Sequence, residues 1–230
     1  MSAIVTFDDG LETTYDVAYP IMKSFSLPGV CFVCGYWIDR GSWRRRPSTG
    51  WQKRPTMTLS QIKELESAGW EIGNHSFSHL DADRNSIEKL QVDILKGKLW
   101  IEQKIGVVPV SYAYPRCKIA GAEYAMRIHQ YCRACTNVGA SIWDGKISNK
   151  IPAVPRDCKS RSTPNSYWIN RARQEGKIVV FIIHNIVDKP KASWDIETKD
   201  FEQLILDILN SEIKVTTFKD LKLSQSPSAN

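Results

Sequence analysis

Lys177-Ile178-Val179-Val180-Phe181-Ile182-Ile183-His184 is the most apolar strand-like stretch of the chain. A strand apolar on both faces belongs in the centre of a sheet covered by helices on both sides, and such sheets are parallel. Strand-like and helix-like segments alternate outward from it in both directions. Before it lie apolar runs at 3–7 and 30–35, a short strand at 70–74, and strands at 109–114 and near 131–136; a last strand follows at 214–218. Between them, helical spacing predicts helices over 12–25, after Thr58, from Asn85 onward, at about 120–130, at 165–175 and at 198–211. Thr58 and Gln61 form a capping box ahead of Ile62 and Leu65, and Gly69 ends that helix. Pro20 marks a kink or early break in the first helix. Residues 137–165 lack periodicity and read as loops. Repeated β-then-α units without a linker or repeat predict one α/β domain over 1–223, a distorted (β/α)7-type barrel, with a flexible tail at 224–230.

Composition sets wide limits. The 230 residues are 42% hydrophobic and 24% charged, ordinary for a globular protein. A net charge of +6 and a pI near 9.0 favour an anionic partner or surface. Nucleic acid is not expected, because the Arg44-Arg45-Arg46 run has no recognised binding motif beside it. No apolar run is long enough to span a membrane. No secretory leader opens the chain, so a full-length chain of this sequence would be cytoplasmic. Six cysteines include Cys31/Cys34 and Cys132/Cys135 in C-x-x-C spacing. Cys31 and Cys34 fall on a strand-like run, where residues three apart face opposite ways and cannot share an ion. Reduced, mostly buried thiols are expected; the even count permits disulfides, but the spacing argues for none.

In an α/β barrel, chemistry sits on loops leaving the C-terminal strand ends. Three features fall there. Asp8-Asp9-Gly10 closes the first strand, and two adjacent carboxylates suit a metal ligand plus a general base. His75-Ser-Phe-Ser-His79 follows the third, with a spacing that lets both imidazoles reach one metal. His184 stands at the end of the most apolar strand, where an imidazole can act as an acid. Singly, each has a plainer reading: an Asx turn, two surface polar residues, a core histidine. Together, Asp9, His75 and His79 would leave a divalent ion open positions for water and substrate.

These segments resemble the polysaccharide deacetylases of the NodB-homology type, carbohydrate esterase family four. Thr-Phe-Asp-Asp-Gly stands at Thr6–Gly10, His-Ser/Thr-x-x-His at His75–His79, and the family's Leu-x-His as Ile182-Ile183-His184. The resemblance runs from about residue 3 to residue 221. It implies a distorted barrel of about seven β/α units. It also implies Asp8 as general base, Asp9, His75 and His79 as metal ligands, and His184 as the acid that protonates the leaving amine. The third motif, usually Arg-Pro-Pro-Tyr, is here Ala113-Tyr114-Pro115-Arg116, close to a Phe-Ala-Tyr-Pro-Tyr-Gly subgroup. The arginine that braces the base is missing from it, and Arg116 or Arg156 is expected to replace it. The Arg116 N–H would serve the oxyanion. Trp143-Asp144 is a weak match to the fourth motif.

The implied cofactor is a divalent metal, zinc first, with cobalt, nickel or manganese also suited to two imidazoles and a carboxylate. The implied partner is an acetylated glycan, N-acetyl of the N-acetylglucosamine type, processed outside the cell if the chain is a trimmed form. Tyr114, Pro115, Trp143, Trp43 and Trp51 are the expected substrate contacts. The stretch Gly41–Pro55, rich in tryptophan and arginine, is expected to be a lid or subsite wall for a polymer, including an anionic one. The alternatives are a hydrolase of a small cyclic amide or imide, and a deacetylase-like barrel that binds glycan without turnover.

Overall fold

The computed structural model describes residues 1–45, 52–135, 142–158 and 162–221. Arg46, Trp51 and the expected tail at 224–230 lie outside the described residues. The first strand, β1 (Ser2–Phe7), leads into a π-helical turn at Thr14–Ala18 and then α1 (Tyr19–Ser24). The sequence predicts one helix here, with Pro20 as a kink. Pro20 has no N–H to donate to the preceding turn, and the Tyr19 N–H reaches back five residues to the Thr14 carbonyl. Next come β2 (Val30–Val33), α2 (Gly35–Asp39) and an antiparallel hairpin, β3 (Ser42–Arg45) with β4 (Gln52–Pro55). The expected capping box opens α3 (Leu59–Ser67): Thr58 Oγ1 accepts from the Gln61 N–H at 3.3 Å, and Gln61 Oε1 from the Thr58 N–H at 2.8 Å. The chain continues through β5 (Glu71–Asn74), α4 (Ile87–Lys104), β6 (Ser111–Ala113), α5 (Ala122–Ile128), β7 (Tyr131–Arg133), β8 (Val154–Pro155), α6 (Asn165–Gln174) and β9 (Ile178–Ile183). It ends with β10 (Asn185–Val187), β11 (Asp195–Glu197), α7 (Thr198–Asn210) and β12 (Lys214–Val215).

The main sheet runs β7-β6-β5-β2-β1-β9-β8, with β12 also on β1, and every pairing in it is parallel. β9 lies beside β1 in full register, Ser2 opposite Ile178 through Phe7 opposite Ile183. Alternation along these strands splits the core. Val5, Phe7, Val179, Phe181 and Ile183 pack with Phe201, Leu204 and Ile208 of α7. Ile4, Val180 and Ile182 pack with Phe32, Tyr131, Trp143 and Phe218 inside the curl. Both faces are thus covered, as the continuous apolar run of β9 requires. Helices on one curled parallel sheet make this the expected single-domain (β/α)7-type barrel.

The stretch 137–165, expected to be loop, contains the piece that curls the sheet toward closure. Ile151 bridges Arg133 of β7, while Val154 pairs with Phe181 of β9, so 151–155 spans the two sheet edges. One bridge and a two-residue strand are too short to carry the alternation that reveals a strand in sequence. A second correction concerns the cysteines. Cys31, Cys34 and Cys132 are buried thiols as expected, but Cys117 and Cys135 form a disulfide. Their spacing gives no hint of it, because the fold brings two neighbouring strand ends together.

Candidate active site

The C-terminal ends of β1, β5, β6, β7 and β9 converge on one side of the barrel. Asp8 and Asp9 leave β1 there. Asp9 and Gly10 both take positive φ, 72° and 67°, which turns the chain sharply off the strand. The φ of Gly10 is one that side-chain-bearing residues rarely adopt, and a Cβ there would also have to displace Ile38 Cδ1, at 2.9 Å. His75 and His79 come from the turn after β5, where Ser76 and His79 have φ of 63° and 54°. Among the described residues, five of the seven non-glycine residues with positive φ are Asp9, Ser76, His79, Arg116 and Cys117, all at this end. Such backbone persists only where its surroundings hold it, and it concentrates at functional sites. Part of that hold is α4. Its Gly97 packs so closely that a Cβ would collide with Asn74 Oδ1 and stand 2.6 Å from the Ser76 carbonyl carbon.

Asp9, His75 and His79 can present one ligand atom each, all within 4.8 Å of one another. Nε2 of each histidine lies 3.5 Å from Asp9 Oδ1. His75 Nδ1 is 2.8 Å from the Ala113 carbonyl, which fixes the ring and turns Nε2 toward the carboxylates. Burial lowers the pKa of both imidazoles to about 4, so both are neutral with lone pairs available at pH 7. Two neutral imidazoles and one carboxylate fit a divalent cation such as zinc.

Asp8 sits beside this set, buried, with Oδ2 3.9 Å from His75 Nε2 and 3.7 Å from His184 Nε2. Arg133 Nη2 donates to both of its oxygens, at 2.7 and 2.6 Å. Burial pushes the Asp8 carboxyl upward, but Arg133, His75 and His184 outweigh it and hold Asp8 below its ordinary value. A buried carboxylate kept ionised between two imidazoles can accept a proton.

The arginine on Asp8 is therefore neither of the two expected. The Arg116 side chain turns to Asp81, with Nη1 2.9 Å from Oδ2. Arg156 lies at the end of β8, where its N–H pairs with the Ile182 carbonyl and its Nη1 donates to the Thr163 carbonyl at 2.9 Å. Arg133 carries a local signal. In Tyr131-Cys132-Arg133 it shares a strand face with Tyr131, so a charge pointed into the barrel.

The expected substrate contacts divide. Trp143 bridges Ile178, at the start of β9, and is buried against Tyr131 and Phe218. That is the opposite strand end from His184, so Trp143 is core. Tyr114 and Pro115 are buried, so their side chains do not form an open substrate wall. Trp43 packs on Trp194 with ring centroids 5.0 Å apart, and Trp194 stands 6.3 Å from His184. The Arg54 guanidinium lies 5.5 Å from the Trp194 ring and 3.4 Å from Asp195. Trp194 was not expected; no motif or period marks it, and only folding brings the β3–β4 hairpin against it.

Known proteins share the sequence pattern of residues 1–130 and the fold. Residues 1–130 match the sequence model of the polysaccharide deacetylase family. A peptidoglycan-N-acetylglucosamine deacetylase of Bacillus cereus is 32% identical over 100 residues, 43% of this chain and 39% of that protein. The chain thus matches well under half the length of that relative. A family 4 acetyl xylan esterase from Clostridium thermocellum, solved with a cobalt ion, shares the fold with a TM-score of 0.58 and 14% identity, over 95% of this chain and 89% of that one. A deacetylase-family protein from Mycobacterium smegmatis superposes with a TM-score of 0.64 and 15% identity, over 95% and 87% of the two chains.

Proposed function

The chain belongs to the polysaccharide deacetylase family, and on that premise we propose that it hydrolyses the N-acetyl groups of an N-acetylglucosamine-type glycan with a divalent metal, zinc first. The observation that carries the reading is Asp8. It is a buried carboxylate clasped by Arg133 and flanked by His75 and His184, directly beside the Asp9–His75–His79 donor set. A cation held by that set would acidify water and polarise the acetyl carbonyl. Asp8 is the base that takes the proton of the attacking water, and Arg133 keeps it ionised for that task. The Arg116 N–H, on the turn after β6, would donate to the charge that develops on the acetyl oxygen. His184 gives a proton to the departing nitrogen, since an amide anion cannot leave unaided. The name of the Bacillus cereus relative supports N-acetylglucosamine as the sugar.

Trp194, backed by the buried Trp43 and by Arg54, is the wall on the His184 side, an aromatic face on which a sugar ring can stack. The Cys117–Cys135 disulfide supports work in an oxidising compartment. No described helix is long and apolar enough to cross a membrane.

The test is acetate release from N-acetylglucosamine oligomers by metal-stripped and zinc-reloaded protein, beside Asp8→Asn. Release that needs metal and disappears in the variant supports the reaction and the base. Release from acetylated xylan but not from the oligomers would move the reading to ester substrates. Metal binding with no release from oligomers, peptidoglycan or xylan would sink it.

A further inference from the structure

The turn with the proposed oxyanion donor and the strand end with the partner of the proposed base are joined covalently. Cys117 directly follows Arg116, and Cys135 stands two residues beyond Arg133; the two cysteines form a disulfide with Cα atoms 5.4 Å apart. The ladder between these strands ends early. Ala113 pairs with Arg133, and the Tyr114 N–H donates to the Arg133 carbonyl at 3.1 Å. Past that bond the disulfide carries on the tie between the strand ends. The turn it holds is one that needs holding, because Arg116 and Cys117 both take positive φ, 56° and 60°. Its other anchors include the Cys117 and Lys118 amides within the turn, the ion pairs of Arg116 and Lys118 with Asp81, and that of Lys118 with the exposed Asp83. Arg116 and Lys118 are a third or more exposed, so those pairs are screened. On the other strand, Arg133 Nη1 donates to the Ala134 carbonyl at 3.4 Å and lies 3.9 Å from Cys135 Sγ. The sulfur bridge therefore borders the guanidinium that grips Asp8.

We propose that Cys117 and Cys135 are positioning residues, whose disulfide holds the Arg116 turn at a fixed distance from the Arg133–Asp8 pair. This rests on the deacetylase reading, which supplies the roles of Asp8 and the Arg116 N–H. Cys117 is partly exposed, so the bond is open to a reductant. A water-soluble phosphine is the reagent of choice, because dithiols strip zinc. It breaks the S–S bond, the sulfurs leave as two thiols, and the phosphine is oxidised to its oxide with oxygen from water.

The zinc-loaded chain should be assayed oxidised, phosphine-reduced, and as the Cys117→Ala/Cys135→Ala double variant. Acetate release and backbone hydrogen exchange are followed together, with metal content measured in each state. Reduction is expected to lower kcat by about tenfold to a hundredfold, the cost of misplacing a positioned group. KM and metal content should stay within twofold. Reoxidation should restore kcat, and the double variant should match the reduced protein and ignore the phosphine. Exchange should quicken at 113–118 and 131–135 but not at 75–79, with β1 and β9 still protected as proof that the fold survives. Faster exchange with unchanged kcat would make the bridge a structural staple only and overturn the proposal. Unchanged exchange would overturn it whatever the activity. An oxidised protein inactive on every acetylated substrate would overturn the deacetylase reading instead, and exchange would still report whether the bridge holds the two segments.

Discussion

Replacing Arg133 with methionine removes the guanidinium that grips Asp8 and keeps most of the side chain's bulk. Both groups are buried, Arg133 at 1% exposure and Asp8 at 3%, so water cannot take over the lost contacts. Breaking a buried pair by removing one partner costs about 3–5 kcal/mol, because the remaining charge is stranded. The sign with pH follows from the depressed Asp8 pKa. In the native chain Asp8 adds stability above its unfolded pKa, and that contribution is lost as pH falls through the folded value. In Arg133→Met the largest influence holding the carboxyl down is gone, so burial moves it upward and its ionisation at neutral pH disfavours the fold. An opposite charge in contact shifts a carboxyl by roughly one to three pH units, so the acid limb of the rate profile should rise by about that much. Two assays decide it: denaturant unfolding at pH 5 and pH 8, and kcat/KM across the same range with zinc saturating. Arg133→Met should lose more stability at pH 8 than at pH 5. Asp8→Asn/Arg133→Met, with no buried charge left, should recover much of the loss. An acid limb in its native place, with full activity, would refute the role given to Arg133.

Three further outcomes are expected. Glu71, buried at the far end of the barrel and accepting from Ser111 Oγ and the Lys219 N–H, is pushed by burial to about 7. Its raised pKa means stability that is full below about 4.5 and lost as pH rises through 7, up to roughly 3 kcal/mol; thermal melts of Glu71→Gln should lack that decline. Gly97→Ala should push α4 off the Ser76 turn and weaken zinc affinity at least tenfold by competition titration, with a modest fall in Tm. Unchanged affinity would show that the turn adjusts freely. Trp194→Ala should raise KM for long oligomers several-fold more than for a disaccharide; equal effects would remove it from the substrate wall.

Much of this protein is written in local pattern. The apolar run before His184 predicts a parallel strand buried on both faces, and β9 is that strand, although it lies one place in from the edge strand β8 and not at the sheet centre. Thr58 and Gln61 predict a helix start and make it, because a capping box needs only four consecutive residues. Asp9, His75 and His79 lie on two short motifs at strand ends, and parallel topology brings such ends together. What only the tertiary structure decided are the partners chosen across the barrel. Arg133 reaches Asp8 from 125 positions away, Cys135 finds Cys117, Trp194 meets Trp43, and Trp143 goes to the core. None of these has a spacing rule, since each depends on the curl of the sheet and the register of neighbouring strands. Sequence pattern encodes which residues stand on one element, and closure of the barrel decides which of them touch.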